Sequence, residues 1–97
     1  MAYAILWSFR PRPEGETAFR ESYGASGAWA ELFRLDETYL GTDLLRASDG
    51  RYLTIDRWAS ESAYRAFLDR HASAYAALDA RCAALTLEES WLGGFEI

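Results

Sequence analysis

A single α+β domain built on a four-stranded antiparallel sheet is predicted by three features of this sequence. Segments of two-residue period occur at the start, twice in the middle and near the end. Segments of helical period separate them in the order strand, helix, strand, strand, helix, strand. A Ser48-Asp49-Gly50 turn links the two middle strands as a hairpin. The 97 residues leave room for one domain, spanning 1–97.

The first strand is expected over Ala2 to Arg10. Tyr3, Ile5, Trp7 and Phe9 share one face; Ala4, Leu6, Ser8 and Arg10 share the other. Both faces are largely apolar, which predicts cover on both sides. Pro11 and Pro13 are expected to end it. Glu14 to Tyr23 reads as a helix, with Phe19 and Tyr23 one turn apart, acids in its first turn and Gly24 as its stop. Ser26 is expected to cap a second short helix through Arg34 that aligns Trp29, Leu32 and Phe33.

Tyr39 to Ala47 is the second strand, with Gly41 as a bulge, and Arg51 to Trp58 is the third. Tyr52, Thr54, Asp56 and Trp58 face one way; Leu53, Ile55 and Arg57 face the other. Ser60 or Ser62 caps the next helix, whose apolar stripe is Ala63, Tyr64, Phe67 and Leu68. A break near His71 is followed by a helical piece with Tyr75, Leu78 and Cys82 on one side. The last strand is expected over Ala84 to Trp91, with Gly93-Gly94 opening a short tail.

This order is the ferredoxin-like βαββαβ arrangement, with both helical regions on one face of the sheet. One face of the first and third strands is aromatic and polar (Tyr3, Trp7, Phe9, Tyr52, Asp56, Trp58). The opposite face is mainly aliphatic (Ala4, Leu6, Leu53, Ile55) and has no helix to cover it. Exposed apolar area costs about 25 cal/mol per Å². Pairing this face with its copy across a twofold axis removes that cost, which predicts a homodimer through the sheet face.

Composition narrows the function. About half of the chain (51%) is apolar, with four Trp, six Tyr and five Phe. That is more than so small an interior holds, so a partner or a ligand is expected to cover part of it. The net charge is −5 and every basic residue is a scattered Arg, which argues against nucleic acid and against anionic membranes. Cys82 is the only cysteine, so an intrachain disulfide is impossible and a reducing, cytoplasmic setting is expected. No Cys/His spacing suggests a metal site. The opening MAYAILWSFR is too short for a signal or a membrane span.

Several segments together carry a resemblance. Tyr39-Leu40-Gly41-Thr42-Asp43-Leu44-Leu45, Arg51-Tyr52-Leu53-Thr54-Ile55-Asp56-Arg57-Trp58 and Ser60-Glu61-Ser62-Ala63-Tyr64-Arg65-Ala66-Phe67 resemble the antibiotic biosynthesis monooxygenase family. Leu6-Trp7-Ser8-Phe9-Arg10 and Gly27-Ala28-Trp29-Ala30-Glu31-Leu32-Phe33 fit the same pattern. The resemblance implies a dimeric α+β barrel with a pocket between sheet and helices in each subunit. It implies oxidation of polycyclic phenols, anthrones or quinols by molecular oxygen, with no metal, flavin or other cofactor. Haem-degrading relatives use an Asn, a Trp and a His at positions matching Trp7, Phe67 and about Ala77, none of which is kept, so haem degradation is not expected.

Such chemistry needs a dry aromatic slot, a proton acceptor and donors for an oxyanion. Trp7, Phe9, Trp58, Tyr64 and Phe67 are candidates to bind an aromatic small-molecule substrate, each with core packing as its alternative role. Asp56, mid-strand among aromatic neighbours, is a candidate base if burial raises its pKa; pairing with an Arg is its alternative. His71, the only histidine, is a second candidate base or else a surface cap at the helix break. Tyr75 is a candidate oxyanion donor. Glu88 and Glu89 read as a solvated face. The alternative function is the same fold without redox chemistry: a binding protein, cyclase or isomerase for a hydrophobic small molecule.

Overall fold

The computed structural model describes residues 1–97. The strands are β1 (Tyr3–Pro11), β2 (Tyr39–Arg46), β3 (Tyr52–Trp58) and β4 (Thr86–Glu96). The helices are α1 (Glu16–Tyr23) and α2 (Ala28–Phe33) after β1, and α3 (Glu61–Arg70) and α4 (Ala72–Cys82) after β3. The sheet is antiparallel throughout, in the order β2-β3-β1-β4. This is the ferredoxin-like α+β fold.

Local boundaries differ from expectation in four places. β1 runs on to Pro11, which sits beside Thr86 at an irregularity of the edge strand, and a 3-10 turn starts at Pro13. A proline fits there because β1 has run past its last partner on β3, Tyr52, and its pairing with β4 is irregular at that point, so no ladder N–H is lost. The second short helix starts after Gly27 and not at Ser26, and no side chain caps it. A 3-10 turn over Ala83–Leu85 precedes β4. Finally, Gly93 and Gly94 belong to β4, opposite Leu6 and Ile5. Gly94 is needed in the strand because the Tyr3 ring lies on it; a Cβ there would overlap the Tyr3 hydroxyl.

Other local devices follow the sequence. Ser60 accepts a hydrogen bond from the Ala63 N–H at 3.1 Å and starts α3. His71 separates α3 from α4. The pairing of β2 with β3 slips by one residue between Tyr39 and Gly41, and Gly41 has φ +129°, a conformation that side chains resist.

The register assigns the faces. Tyr3, Ile5, Phe9, Tyr52, Thr54, Asp56 and Trp58 are buried under the helices. Trp58 and Phe67 are fully buried and packed at 4.9 Å between ring centroids, with Phe33 against both. Phe9, Phe19 and Tyr23 form a second aromatic group nearer α1. The opposite sheet face is open. Register places Ala4 beside Phe95, Leu6 beside Ile55, and Leu53 beside both Ser8 and Leu45. Phe95 and Leu45 are about half exposed there. Asp43 and Arg57 form an ion pair on the same face at 2.8 Å. No helix is long and apolar enough to cross a membrane.

Candidate functional site

A small cavity lies between the sheet and the helices. Its floor is Trp7 and Phe9 of β1 with Thr54 and Asp56 of β3, and α1, α2 and α4 wall it with Tyr23, Trp29, Phe33 and Tyr75. Asp79 of α4 and Glu89 of β4 complete the lining. The elements deliver these side chains by simple spacing. Alternate residues of a strand share a face, and residues four apart on a helix share another. Trp29 with Phe33, and Tyr75 with Asp79, are such helix pairs.

The rings are in contact around the space. Trp7 stacks along Phe9 at 6.2 Å, and Trp29 meets Tyr75 edge-on at 4.9 Å. The enclosed volume is about 50 Å³. At roughly 10–15 Å³ per water, that holds a few waters. A multi-ring molecule therefore requires the wall to part.

Asp56 is the buried charge of the site, 9% exposed. No arginine reaches it. Thr42 Oγ1 donates to its Oδ1 at 2.6 Å. Because the single Thr42 proton is used in that bond, the Tyr39 hydroxyl donates to Thr42 in turn. Burial raises the Asp56 pKa from 3.8 to about 6, and the Thr42 hydrogen bond only partly offsets it. Burial also raises the Tyr75 and Tyr23 hydroxyls, so both remain protonated donors at neutral pH. The Trp29 indole N–H is buried against the Tyr23 hydroxyl, in a contact too loose for a full hydrogen bond that nonetheless partly offsets the effect of burial on Tyr23. Burial and the Asp79 charge together push Glu89 upward.

Four of the residues singled out from sequence meet at this cavity: Trp7, Phe9, Asp56 and Tyr75. The other four stand outside its lining. Trp58 and Phe67 fill the core at the neighbouring end of the sheet. Tyr64 packs between Tyr3 and Trp58, at 6.4 and 5.5 Å. His71 is half-buried at the α3–α4 break, 4.8 Å from the Phe67 ring. Sequence reasoning missed Trp29, Tyr23, Phe33, Thr54 and Asp79 as lining residues. It also grouped Glu89 with Glu88, whereas Glu88 faces Arg10 on the open side and Glu89 turns to the cavity. Strand alternation was the available signal for Glu89, and one-turn spacing from Tyr75 for Asp79. No group of three His, Cys, Asp or Glu side chains is arranged to hold a metal ion.

Comparison with known proteins gives a consistent picture. A family model described as antibiotic biosynthesis monooxygenase matches residues 2–77. No curated protein matches by sequence search. Among solved structures, the chain is similar to an N63A mutant of SnoaB, a cofactor-independent oxygenase from Streptomyces nogalater. The TM-score is 0.73 at 20% identity, covering 99% of this chain and 92% of that one. It is similar to Rv0793 from Mycobacterium tuberculosis, with a TM-score of 0.67 at 20% identity over 100% and 98% of the two chains. It is also similar to an R26S mutant of MhuD with two manganese protoporphyrin IX bound per active site. There the TM-score is 0.66 at 25% identity, covering 98% and 93%.

Proposed function

The chain belongs to the antibiotic biosynthesis monooxygenase family, and we propose that it is a cofactor-independent monooxygenase acting on an anthrone, phenol or quinol-like metabolite. The observation that carries this reading is Asp56: a carboxylate with a pKa of about 6, held by one threonine and facing an aromatic-walled space. A base poised near neutral pH is what proton abstraction from an electron-rich ring requires.

In this mechanism the substrate supplies the electrons. Asp56 takes a proton from the acidic carbon or hydroxyl of the bound ring. The resulting enolate passes one electron to oxygen, the radical pair joins as a peroxide anion, and Asp56 returns its proton to that anion, which gives the hydroperoxide and restores the base. Loss of water from that hydroperoxide leaves the new carbonyl. Tyr75 donates to the oxyanion as it forms. The Tyr39–Thr42 pair holds Asp56 in place. Trp7 and Phe9 orient the ring and keep water from the intermediate.

A porphyrin suits these residues poorly. The lining has no imidazole or thiolate to hold iron, and Asp56, Asp79 and Glu89 would repel the propionates. The proposed assembly is a homodimer joined through the open sheet face, supported by the exposed Leu45 and Phe95 beside Leu6, Leu53 and Ile55.

Oxygen uptake with a series of anthrones and dihydroquinones tests the proposal. Saturable uptake that rises with pH through about 6 and falls at least about 100-fold in Asp56→Asn is expected. Uptake that is unchanged in Asp56→Asn removes Asp56 as the base. Ligand binding with no uptake for any compound favours the non-redox binding, cyclase or isomerase reading.

A further inference from the structure

Residues opposite one another in paired strands point to the same side of the sheet, so the cavity floor is made of cross-strand rows. Tyr52, Phe9 and Glu89 form one row, and Thr54, Trp7 and Trp91 form the next. Glu89, at the outer end of the first row, lines the cavity. Trp91 ends the second row two residues further along β4 and therefore projects to the same, helix-facing side. The irregularity of β4 falls between Trp91 and Gly93, beyond this pair, and does not change that parity. Trp91 is 60% exposed, whereas Trp29 and Trp58 are buried and Trp7 is half-buried. The helices do not cover it. A dimer joined through the open sheet face leaves it bare too, because that face is on the other side of the strand.

The cavity opens toward this tryptophan. Asp79 and Glu89 are its exposed lining residues and place its mouth between α4 and β4. The α4 wall is loosely held: only Leu78 and Cys82 of it are buried, and no ion pair joins it to another element. An enclosed volume of about 50 Å³ suits a few waters, so most of a fused-ring molecule must lie past the rim. The row from Thr54 through Trp7 to Trp91 crosses two strand spacings, about 10 Å in all, a length that a linear three-ring frame covers.

We propose that Trp91 is the outer platform of the substrate site: a fused aromatic molecule of three or more rings enters between α4 and β4, places its reacting ring over Trp7 toward Asp56, and stacks its distal ring on Trp91. That this molecule is oxidised rests on the oxygenase reading; its contact with Trp91 does not. The platform makes the site select by ring number, because a single-ring phenol cannot reach from Asp56 to β4.

Hydroquinone and anthrone, titrated with oxygen excluded, serve as the short and the long probe. NMR of the Trp indole N–H signals reports binding, and the Trp91 signal is identified by its loss in Trp91→Phe. Anthrone is expected to shift the Trp91 signal and hydroquinone to leave it in place. In Trp91→Ala the ratio of anthrone to hydroquinone affinity is expected to fall about tenfold, and in Trp91→Phe most of it returns, since a smaller ring still stacks. A ratio unchanged in Trp91→Ala, or no binding of anthrone, overturns the proposal. So does a Trp91 signal that moves on dilution of the protein but not with anthrone, which marks a subunit contact. Oxygen uptake then separates the two readings. The ring-dependent loss of affinity without uptake keeps the platform and rejects the oxygenase. Uptake on anthrone with an unchanged affinity ratio in Trp91→Ala keeps the oxygenase and rejects the platform.

Discussion

Replacing Asp56 by Asn should stabilise the protein at neutral pH and leave it unchanged in acid. The folded carboxyl titrates near 6 instead of 3.8 because it is buried without a cation. Two units at about 1.4 kcal/mol each give about 3 kcal/mol. The direction follows from proton binding. Below pH 3.8 the carboxyl is neutral folded and unfolded, and folding carries no penalty. Between 3.8 and about 6 the unfolded chain ionises first, so wild-type stability falls as pH rises. Above about 6 the full penalty persists. Asn is neutral throughout, and its carbonyl still accepts the Thr42 bond. The variant should therefore exceed wild type by about 3 kcal/mol at pH near 7.5 and by about zero at pH near 3.5. Urea unfolding followed by circular dichroism at one fixed protein concentration measures the difference, and other titrating groups cancel between the two proteins. A difference that does not vary with pH, or an Asn variant that is weaker at neutral pH, refutes the claim that Asp56 is an uncompensated buried acid.

Thr42→Val removes the one hydrogen bond that favours the Asp56 carboxylate. Its pKa should rise further, by about one unit for a bond to a charged group worth about 1.5 kcal/mol, as read by carboxyl-carbon NMR; a fall would contradict the assigned donor. Trp58→Ala, in the fully buried centre, should cost about 3–5 kcal/mol in urea unfolding, and a loss under about 1 kcal/mol would show that the centre collapses to fill the gap. Ile55→Glu on the open sheet face should yield monomers in analytical ultracentrifugation while circular dichroism stays unchanged, and an unaltered dimer would place the interface elsewhere.

The fold was legible because strand and helix periods were clean. Tyr52, Thr54, Asp56 and Trp58 alternate without interruption, and the SDG turn fixed the hairpin. β4 was less readable, because its two glycines look like a terminus until Tyr3 is known to lie across one of them. Periodicity tells which face a residue occupies but not its depth along the sheet. Trp58 and Asp56 share a face, yet Trp58 sits beneath α3 and plugs the core while Asp56 reaches the cavity. Helix placement was the other unknown. Phe67 and Trp29 both project from apolar stripes. Only tertiary packing puts the first in the solid part of the core and the second in the wall of the cavity.

The slip in β2 has a consequence for the chemistry. Tyr39 and Thr42 are three residues apart, an odd interval that would send them to opposite sides of an unbroken strand. The extra residue at Leu40–Gly41 changes that parity, so both hydroxyls come to the same side, opposite Trp58 and Asp56. Deleting one residue there would restore strict alternation. The two hydroxyls, then an even interval apart, would keep to one side, still opposite Trp58 and Asp56, so the extra residue can be lost without separating the tyrosine from the threonine, whereas forcing the full-length strand straight would send the tyrosine to the far side.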